Sequence, residues 1–177
     1  MHGVVFAVLR DYSVERLGDE RAAELWVDRV FEPGEAYDDE WFAAQLDRLA
    51  AATGETRAAV DTGFGAYAGR TVFARLYPSY YAENGDVLSF LLGVEERIHE
   101  LVRETIPGAS PPRLHVYALR DLGVLVSYTS ERRLCGVLEG LVRGTAAELG
   151  DAVELEEIQC MHRGDPGCVF TVVRSGA

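Results

Sequence analysis

Tyr128, Ser130 and Arg132 stand two residues apart in the segment VSYTSERRLCG, where a strand pattern gives way to a helix pattern. Residues two apart on a strand share one face at steps of about 6.6 Å, so two hydroxyls and a guanidinium meet on one surface. A guanidinium donates paired hydrogen bonds to carboxylates and phosphates. The set therefore indicates a site for an anionic group. The alternative interpretation is an ordinary strand end whose serine caps the next helix.

A histidine with a helical setting is the second candidate for chemistry. The chain contains four histidines: His2, His99, His115 and His162. On a helix, His99 lies beside Val102 and Ile106, next to an apolar stripe. A histidine on an apolar face needs a partner for its ring nitrogens, and a metal is one such partner. His99 is therefore a candidate metal ligand, and the alternative is a histidine that fills space on a helix.

Three cysteines, Cys135, Cys160 and Cys168, form the third candidate set. An odd number does not make a complete disulfide framework, so reduced thiols or thiolate ligands are expected. A thiol enzyme built on Cys135 and His162 would need an orienting residue and an oxyanion motif. Neither accompanies them, so the sequence predicts a protein that is not an enzyme.

The composition limits the classes of partner. The chain has 177 residues, 48% of them hydrophobic, which is enough for one buried core and predicts a single domain over 1–177. A formal net charge of −12 argues against nucleic acid and against anionic membrane surfaces. The apolar opening VVFAVL is far shorter than the ~20 residues of a membrane span. These features predict a cytoplasmic protein.

The elements that must position these residues follow from the hydrophobic periodicity. Helix patterns cover residues 3–18, 19–31, 38–54 and 56–76, a proline and an Asn-Gly pair break the pattern over 77–86, and a longer helix covers about 85–105. The period then changes to two over 113–119 and 123–129, around the short turn RDLG. A helix over 131–149 and strands over 152–162 and 168–174 complete the chain. The pattern predicts an α+β fold with helices first, then an antiparallel sheet of about four strands with one inserted helix.

Glycines interrupt the helix pattern at Gly63, Gly65 and Gly69. A glycine inside a helix costs about 1 kcal/mol relative to alanine, so something must lie close to that backbone. Either a bulky group or a second helix meets this requirement, and the sequence does not choose between them.

These motifs together resemble the haem-nitric oxide/oxygen-binding (H-NOX, HNOB) domain family, the sensor module of soluble guanylate cyclases and their bacterial relatives. His99 matches the family's proximal histidine, and Pro112 in SPPRL follows it by thirteen residues, as the family's porphyrin-pressing proline does. The Tyr-x-Ser-x-Arg motif starts twenty-nine residues after His99. The opening MHG and the segment FARLYPSYY also fit, so the resemblance covers essentially the whole chain.

The resemblance implies a haem b between a helical N-terminal subdomain, 1–60, and a C-terminal subdomain, 61–177. His99 would be the axial iron ligand, and Pro112 would distort the porphyrin. Tyr128, Ser130 and Arg132 would hold the propionates. Phe73 and the glycine-rich helix would form the distal wall, with the glycines letting the flat macrocycle approach.

The resemblance also addresses which gas is bound. Family members that hold oxygen carry a tyrosine nine residues after the motif tyrosine, and Val137 stands at that position here. Leu9 and Gly69 align with the positions that support such a tyrosine, and Tyr67 remains as a candidate donor. A polar Fe–O₂ unit needs a donor more than Fe–NO does. We therefore expect nitric oxide and carbon monoxide to bind ferrous haem, without stable oxygen binding.

As a stand-alone bacterial-type sensor, the chain would signal through a partner, for which the family implies a histidine kinase or a cyclic-di-GMP enzyme. Nitric oxide would weaken the bond to His99, relax the distortion imposed by Pro112 and shift the two parts of the domain. The competing interpretation from another class is a haem-free domain that binds an anionic small molecule or serves as a zinc-stapled scaffold.

Some bacterial relatives carry a structural zinc near the haem region. Cys135, Cys160 and Cys168 with His162 would form a Cys₃His set, which is a recognised closed zinc site. In those relatives the fourth ligand stands three residues before the second cysteine, where this chain has Glu157. The fourth ligand is thus His162 or Glu157, and the alternative is three buried free thiols.

Overall fold

The computed structural model describes residues 1–26, 30–120 and 123–175. Helices come first along the chain and an antiparallel sheet follows, which confirms the predicted α+β fold. The α-helices are α1 (Gly3–Leu17), α2 (Asp19–Leu25), α3 (Asp39–Thr53), α4 (Arg57–Tyr67), α5 (Ala74–Leu76), α6 (Pro78–Glu83), α7 (Val87–Val94), α8 (Glu100–Thr105) and α9 (Cys135–Glu148). The strands are β1 (Arg113–Ala118), β2 (Val124–Thr129), β3 (Val153–Gln159) and β4 (Cys168–Arg174).

Two helices contain a π-helical segment where the sequence predicts one long helix each. Ala68–Phe73 joins α4 to α5, and Glu95–His99 joins α7 to α8. A π segment widens the turn and is rare outside functional sites. The second segment ends on His99, the candidate metal ligand.

The sheet has the order β1-β2-β4-β3, with every neighbouring pair antiparallel. Along β2, buried side chains alternate with half-buried ones, so Val124, Val126 and Tyr128 face the core. This is the period of two on which the strand prediction rests. Of the predicted RDLG turn between β1 and β2, residues 121 and 122 lie outside the described residues.

Strand β2 is shorter than the sequence predicts, so it does not carry all three of Tyr128, Ser130 and Arg132. Strand β2 ends at Thr129, so Ser130 and Arg132 belong to the turn that follows it. The backbone at Arg133 has a positive φ of 50°, which delays the start of α9 from the predicted residue 131 to Cys135. Ser130 does not cap that helix.

Three further boundaries differ from prediction. The expected break over 77–86 contains α6, because Pro78 occupies the first helical turn, where a proline fits. The last residues of the expected strand 152–162 form a single 3₁₀ turn, Met161–Arg163, after β3 has ended at Gln159. The helix expected over 19–31 ends at Leu25, and residues 27–29 lie outside the described part of the chain.

The glycine-rich helix α4 packs directly on the backbone of α9. A Cβ added at Gly65 would lie 2.1 Å from the carbonyl oxygen of Val137, and one added at Gly69 would lie 2.8 Å from that of Leu141. Of the two interpretations of these glycines, the structure therefore supports a close helix–helix contact. This contact explains Gly65 and Gly69 without a flat macrocycle beside them.

Helix α9 contributes glycines to the same contact, and the sequence analysis missed them. A Cβ on Gly140 would lie 2.0 Å from the carbonyl oxygen of Thr62, and one on Gly144 would lie 2.2 Å from that of Ala66. Glycines four residues apart on each helix let the two backbones approach. The contact positions α9, which carries Cys135 and Val137.

The buried side chains form two clusters. One joins the sheet to α6, α7 and α9, and the other joins α1, α3 and α4. The second cluster includes Phe64, Ala68 and Val137, which come after residue 60 in the sequence. It therefore contains residues from both sides of the predicted subdomain boundary. That boundary stays a prediction. In the described residues, no helix combines the length and the apolar character needed to cross a membrane.

Candidate functional site

A cavity of about 280 Å³, here called the central cavity, is bordered by side chains of both clusters. Its wall is mainly apolar, with contributions from α1, α4, α7 and α9. Most of the site residues predicted from the sequence lie on this wall: Phe73, His99, Pro112, Tyr128, Ser130, Arg132 and Val137. The fold thus brings together residues that are up to 64 positions apart in the sequence.

Leu9, Gly69 and Tyr67 are absent from the wall as far as the described residues define it. Leu9 is fully buried among the side chains of the second cluster. Gly69 packs on α9, and Tyr67 lies against the ring of Tyr12 at a centroid distance of 5.5 Å. Each of the three residues is next in the sequence to a residue of the cavity wall, but its own contacts are with other parts of the core.

His99 presents one ring nitrogen to a carboxylate. Its Nδ1 lies 2.8 Å from Oε2 of Glu95, one π-helical turn earlier. Burial lowers the pKa of His99, and the hydrogen bond with Glu95 offsets this only in part, so the ring is neutral at pH 7. A neutral ring that donates from Nδ1 keeps its lone pair on Nε2. Nε2 is therefore the atom that can ligate a metal.

Glu95 has more partners than His99 alone. Its Oε2 also accepts the backbone N–H of Leu114 at 3.1 Å, and its Oε1 accepts Nη2 of Arg103 at 2.7 Å. Nη2 of Arg103 also donates to the carbonyl oxygen of Pro112 at 3.2 Å. Burial acts to raise the pKa of Glu95, but these hydrogen bonds outweigh it and hold the pKa below its usual value. Glu95 is therefore an anion at pH 7.

The sequence analysis missed Glu95 and Arg103. The separation of four residues between Glu95 and His99 on a predicted helix was a usable signal, since such pairs are neighbours on a helix surface. No local signal connects either residue to Pro112 or Leu114, because those contacts form only when β1 packs beside the helix.

Tyr128 is buried, with 3% of its surface exposed, and its hydroxyl accepts the backbone N–H of Leu134 at 3.1 Å. The hydroxyl thus takes the place that Ser130 was expected to fill at the start of α9. Burial raises the pKa of Tyr128, with hydrogen bonds from Ser130 and Leu134 acting in the opposite direction, so the phenol stays protonated at pH 7. Protonated, Tyr128 can donate to an anionic group in the cavity.

Arg132 is held from two sides. Its Nη1 donates to the carbonyl oxygen of Ser110, and its Nε lies 2.8 Å from Oδ1 of Asp39 on α3. The geometry of this ion pair leaves the buried Nε without an aligned hydrogen bond in the described structure. Burial acts to raise the pKa of Asp39, but Arg132 and the amino group of Met1 lower it overall. Asp39 was not predicted, since nothing in its local sequence points to Arg132.

His2 is a further wall residue that the sequence analysis did not single out. Its Nδ1 is buried and has no hydrogen-bond partner within the described residues. The neighbouring Met1 amino group contacts Asp39 at 2.6 Å, and Asp39 in turn pairs with Arg132. His2 and Arg132 thus lie on the same cavity wall, and Asp39 joins Arg132 to the residue before His2.

Two hydroxyls on the cavity wall are already bound to the protein. The hydroxyl of Tyr81 donates to the carbonyl oxygen of Gly69 at 2.8 Å and lies 3.1 Å from Oγ1 of Thr145. Burial raises the pKa of Tyr81. These groups join α6, the π-helical segment Ala68–Phe73 and α9 rather than pointing freely into the cavity.

The residues on the wall fit a haem. The wall is apolar, as a porphyrin requires, and the ring of His99 has its lone pair on Nε2 because Nδ1 donates to Glu95. On the same wall lie a guanidinium with an unaligned Nε, a buried phenol and a serine hydroxyl, which suit the two propionates.

A second cluster of candidate ligands lies where α9, β3 and β4 meet. One ligand atom from each of Cys135, Glu157, Cys160 and Cys168 lies within 4.8 Å of the others. The Sγ atoms of Cys135 and Cys160 are 3.8 Å apart. Tetrahedral zinc with Zn–S bonds of about 2.3 Å places its sulfur ligands about 3.8 Å apart, so this spacing fits zinc.

The thiols of Cys135 and Cys168 are protonated when no metal is bound, because burial raises the pKa of both. Burial raises the pKa of Cys135, and the neighbouring Cys168 and Cys160 raise it further. A bound cation reverses this preference by stabilising the thiolates. The cluster is therefore inert as a nucleophile and suited to a metal.

His162 lies outside this cluster of four. Its ring is exposed on the 3₁₀ turn, and its Nε2 is 2.8 Å from the carbonyl oxygen of Arg133. Glu157 is half-buried and also pairs with Arg163 at 2.8 Å. Of the two candidates for the fourth ligand, the geometry favours Glu157.

The sequence model of the family described as Haem-NO-binding (HNOB) matches residues 2–157. Among curated proteins, none gives a significant match. The matched range contains His99, Pro112 and the whole Tyr-x-Ser-x-Arg motif.

Solved structures agree with the family match. The chain is similar to an H-NOX protein from S. oneidensis in the Fe(II)NO ligation state, with a TM-score of 0.92 and 24% identity over 99% of this chain and 100% of that chain. It is also similar to an unliganded Fe(II) H-NOX protein from K. algicida, with a TM-score of 0.86 and 19% identity over 100% and 98% of the two chains. At these identities the similarities show a shared fold.

Proposed function

The chain belongs to the haem-NO-binding family, whose members are haem-based gas sensors, and from this premise we propose that it senses nitric oxide with a ferrous haem b ligated by His99. The observation that carries the proposal is the wall of the central cavity. It combines an imidazole whose Nδ1 is engaged, an apolar lining, and the set Tyr128, Ser130 and Arg132.

Each residue of the site has a distinct task in this proposal. His99 would supply Nε2 as the ligand of the iron, and Pro112, on the same wall, would contact the macrocycle. Tyr128, Ser130 and Arg132 hold the propionates, with charge-assisted bonds of about 1.5–3 kcal/mol each. A bound ferrous haem supplies the metal centre that takes up a diatomic gas. The apolar side chains exclude water from that centre.

The wall favours nitric oxide and carbon monoxide over oxygen. Val137 on α9 lies on the wall and has no donor, and the hydroxyls of Tyr81 and Thr145 contact each other and the carbonyl oxygen of Gly69. Bound oxygen needs a hydrogen-bond donor far more than bound nitric oxide does. We therefore expect no stable oxygen complex.

Signalling requires that a change at the haem reach the surface. The ion pair of Arg132 with Asp39 connects the propionate-holding turn to α3 in the other cluster. A shift of the propionates would strain this contact and move α3 relative to the sheet. The receiving protein that we propose is a histidine kinase or a cyclic-di-GMP enzyme, as the family implies.

A structural zinc at Cys135, Cys160, Cys168 and Glu157 is the second part of the proposal. It is supported by the sulfur spacing and by the grouping of the four ligand atoms. Such an ion would join the start of α9 to the end of β3 and the start of β4. Because α9 carries Val137, the zinc would also hold one wall of the cavity in place.

Absorption spectra of the purified protein test the gas-sensing proposal. The ferrous protein is expected to show a sharp Soret band that moves with nitric oxide and with carbon monoxide and stays unchanged in air. A stable oxygen complex in air would overturn the choice of gas. A protein that shows no Soret band even after addition of haem would instead support a haem-free domain for an anionic small molecule or a zinc-stapled scaffold.

A further inference from the structure

We propose that Glu95 is a positioning residue that sets the strength of the bond between His99 and the haem iron and ties that bond to the backbone around Pro112. The inference rests on the proposed function, because it requires haem ligated through Nε2 of His99. It concerns a residue that contacts Nδ1 of His99 and is not among the residues that line the central cavity in the described structure.

The carboxylate of Glu95 has a partner on each oxygen. Oε2 accepts Nδ1 of His99 at 2.8 Å and the backbone N–H of Leu114 at 3.1 Å. Oε1 accepts Nη2 of Arg103 at 2.7 Å. Three donors, two from the same helical stretch and one from β1, therefore hold the carboxylate in one orientation.

This arrangement differs from an ordinary pair on a helix surface. Pairs four residues apart on exposed helices contribute little to stability, because water screens them. The side chains of His99 and Glu95 are 16% and 22% exposed, respectively. With little water nearby, the hydrogen bond is stronger and its geometry better defined.

The chemical consequence follows from the charge of the acceptor. A histidine that donates its free N–H to a carboxylate becomes a more basic ligand, and its ring orientation and tautomer are fixed. Greater donation from the ligand strengthens the bond to the iron. A carboxylate at this position therefore opposes release of His99 when a gas binds on the other side, compared with a neutral acceptor.

The mechanical consequence follows from the other two donors. Arg103 also reaches the carbonyl oxygen of Pro112 at 3.2 Å, and Leu114 is the second residue of β1. If His99 were displaced, Glu95 would have to move with it or lose its hydrogen bonds with Arg103 and Leu114. The carboxylate of Glu95 thus contacts His99 directly, reaches β1 through Leu114, and reaches Pro112 through Arg103.

The iron–histidine stretching frequency of the unliganded ferrous protein, measured by resonance Raman spectroscopy, tests the inference. Glu95→Gln keeps a carbonyl oxygen for Nδ1 and removes the charge, so the frequency is expected to shift down. The NO complex of this variant should retain the bond to His99 in a smaller fraction of molecules. Glu96→Gln, the same change at the exposed neighbouring residue, is the matched control and should leave both readouts unchanged.

A second variant is expected to act in the opposite direction. Arg103→Met removes the cation that draws on Oε1 of Glu95, so the carboxylate becomes a better acceptor for Nδ1 and the frequency should shift up. If Glu95 had only a structural role, Glu95→Gln and Arg103→Met would not shift the iron–histidine frequency in opposite directions. This variant also decides the question if Glu95→Gln does not retain haem.

The outcomes separate this inference from the proposed function. A wild-type protein without haem, or with haem that stays bound in the same way in His99→Gly, would contradict the proposed function. If the wild type shows the His99 bond and both Glu95→Gln and Arg103→Met leave its frequency at the wild-type value, Glu95 is not a positioning residue. Shifts in the two expected directions would support the inference.

Discussion

Nε of Arg132 lies 2.8 Å from Oδ1 of Asp39, so the turn that follows β2 is joined to the first turn of α3. The two residues belong to different parts of the fold, and Arg132 also lies on the wall of the central cavity. Arg132 thus has two tasks, since it contacts the N-terminal helices and supplies the cation expected to bind the propionates.

Replacing Arg132 with alanine should speed haem loss. Loss of one charge-assisted bond of about 1.5–3 kcal/mol corresponds to about 10- to 150-fold faster dissociation. The rate is measured by transfer of haem to an excess of a haem-free globin. Arg143→Ala removes the same charge from an exposed pair with Glu139 and should have no effect. Equal rates in the two variants would contradict the assignment of Arg132.

Val137→Tyr should create oxygen binding. Val137 lies on the cavity wall, so a tyrosine there places a hydroxyl donor inside an apolar space. The expected result is an oxygen complex of the ferrous protein that is visible in air by absorption spectroscopy. Val137→Phe has nearly the same size without the hydroxyl and should bind no oxygen. A stable complex in the phenylalanine variant would mean that a different residue is the donor.

Gly140→Ala should destabilise the protein, although alanine is the better helix former. The added Cβ would lie 2.0 Å from the carbonyl oxygen of Thr62, and backbone cannot easily move away. Overpacking costs about 1–3 kcal/mol, which outweighs the gain of about 1 kcal/mol in helix propensity. Urea unfolding measures the difference. Gly85→Ala adds a Cβ in open space and should not lower the free energy of unfolding.

Zinc binding should depend on the cysteines and not on His162. Metal analysis of the purified protein is expected to find zinc, which Cys168→Ser loses and His162→Gln retains. Glu157→Ala should weaken the binding. A wild-type protein with less than about a tenth of an equivalent of zinc would indicate three free thiols. Loss of zinc in His162→Gln would make that histidine the fourth ligand.

Asp86 should make the stability depend on pH in acid. Its carboxylate accepts the backbone N–H of Ser89 at 2.9 Å at the start of α7 and pairs with Arg174 at 2.9 Å. Burial acts to raise the pKa of Asp86, but these contacts lower it below 3.8 overall. Because the folded state holds the lower pKa, the stabilisation is complete above the unfolded pKa and is lost as the pH falls through the folded pKa.

Two variants separate the contributions of Asp86. Asp86→Asn keeps a capping oxygen and loses the charge, so its deficit in the free energy of unfolding should be present at about pH 7 and shrink toward about pH 3. Asp86→Ala also loses the cap, which adds about 0.5–2 kcal/mol. Urea unfolding across this pH range measures both, and a deficit of Asp86→Asn that stays constant with pH would contradict the pKa shift.

Much of the fold is predictable because it depends on local patterns. The change of period from helical to two at residue 113 predicts where helices give way to strands, and the structure has β1 beginning at Arg113. Element ends are less predictable. Pro78 was interpreted as a break and instead begins α6, because a proline fits either role and its neighbours decide.

The amino-acid sequence by itself determined the residues with chemical capacity. The spacing of His99, Pro112 and Tyr128 along the chain is enough to indicate a family, and the structure brings these residues to one cavity. Such spacings can be detected because each lies within one stretch of the chain whose elements follow local rules.

Only the tertiary structure decided which residues support them. Gly65 packs on the backbone of α9, and Arg132 pairs with Asp39. The residue that joins the three cysteines is Glu157 and not His162 on the 3₁₀ turn. Each of these contacts depends on how two distant elements pack. Packing is a property of many side chains together, so no local pattern of charge or hydrophobicity encodes it.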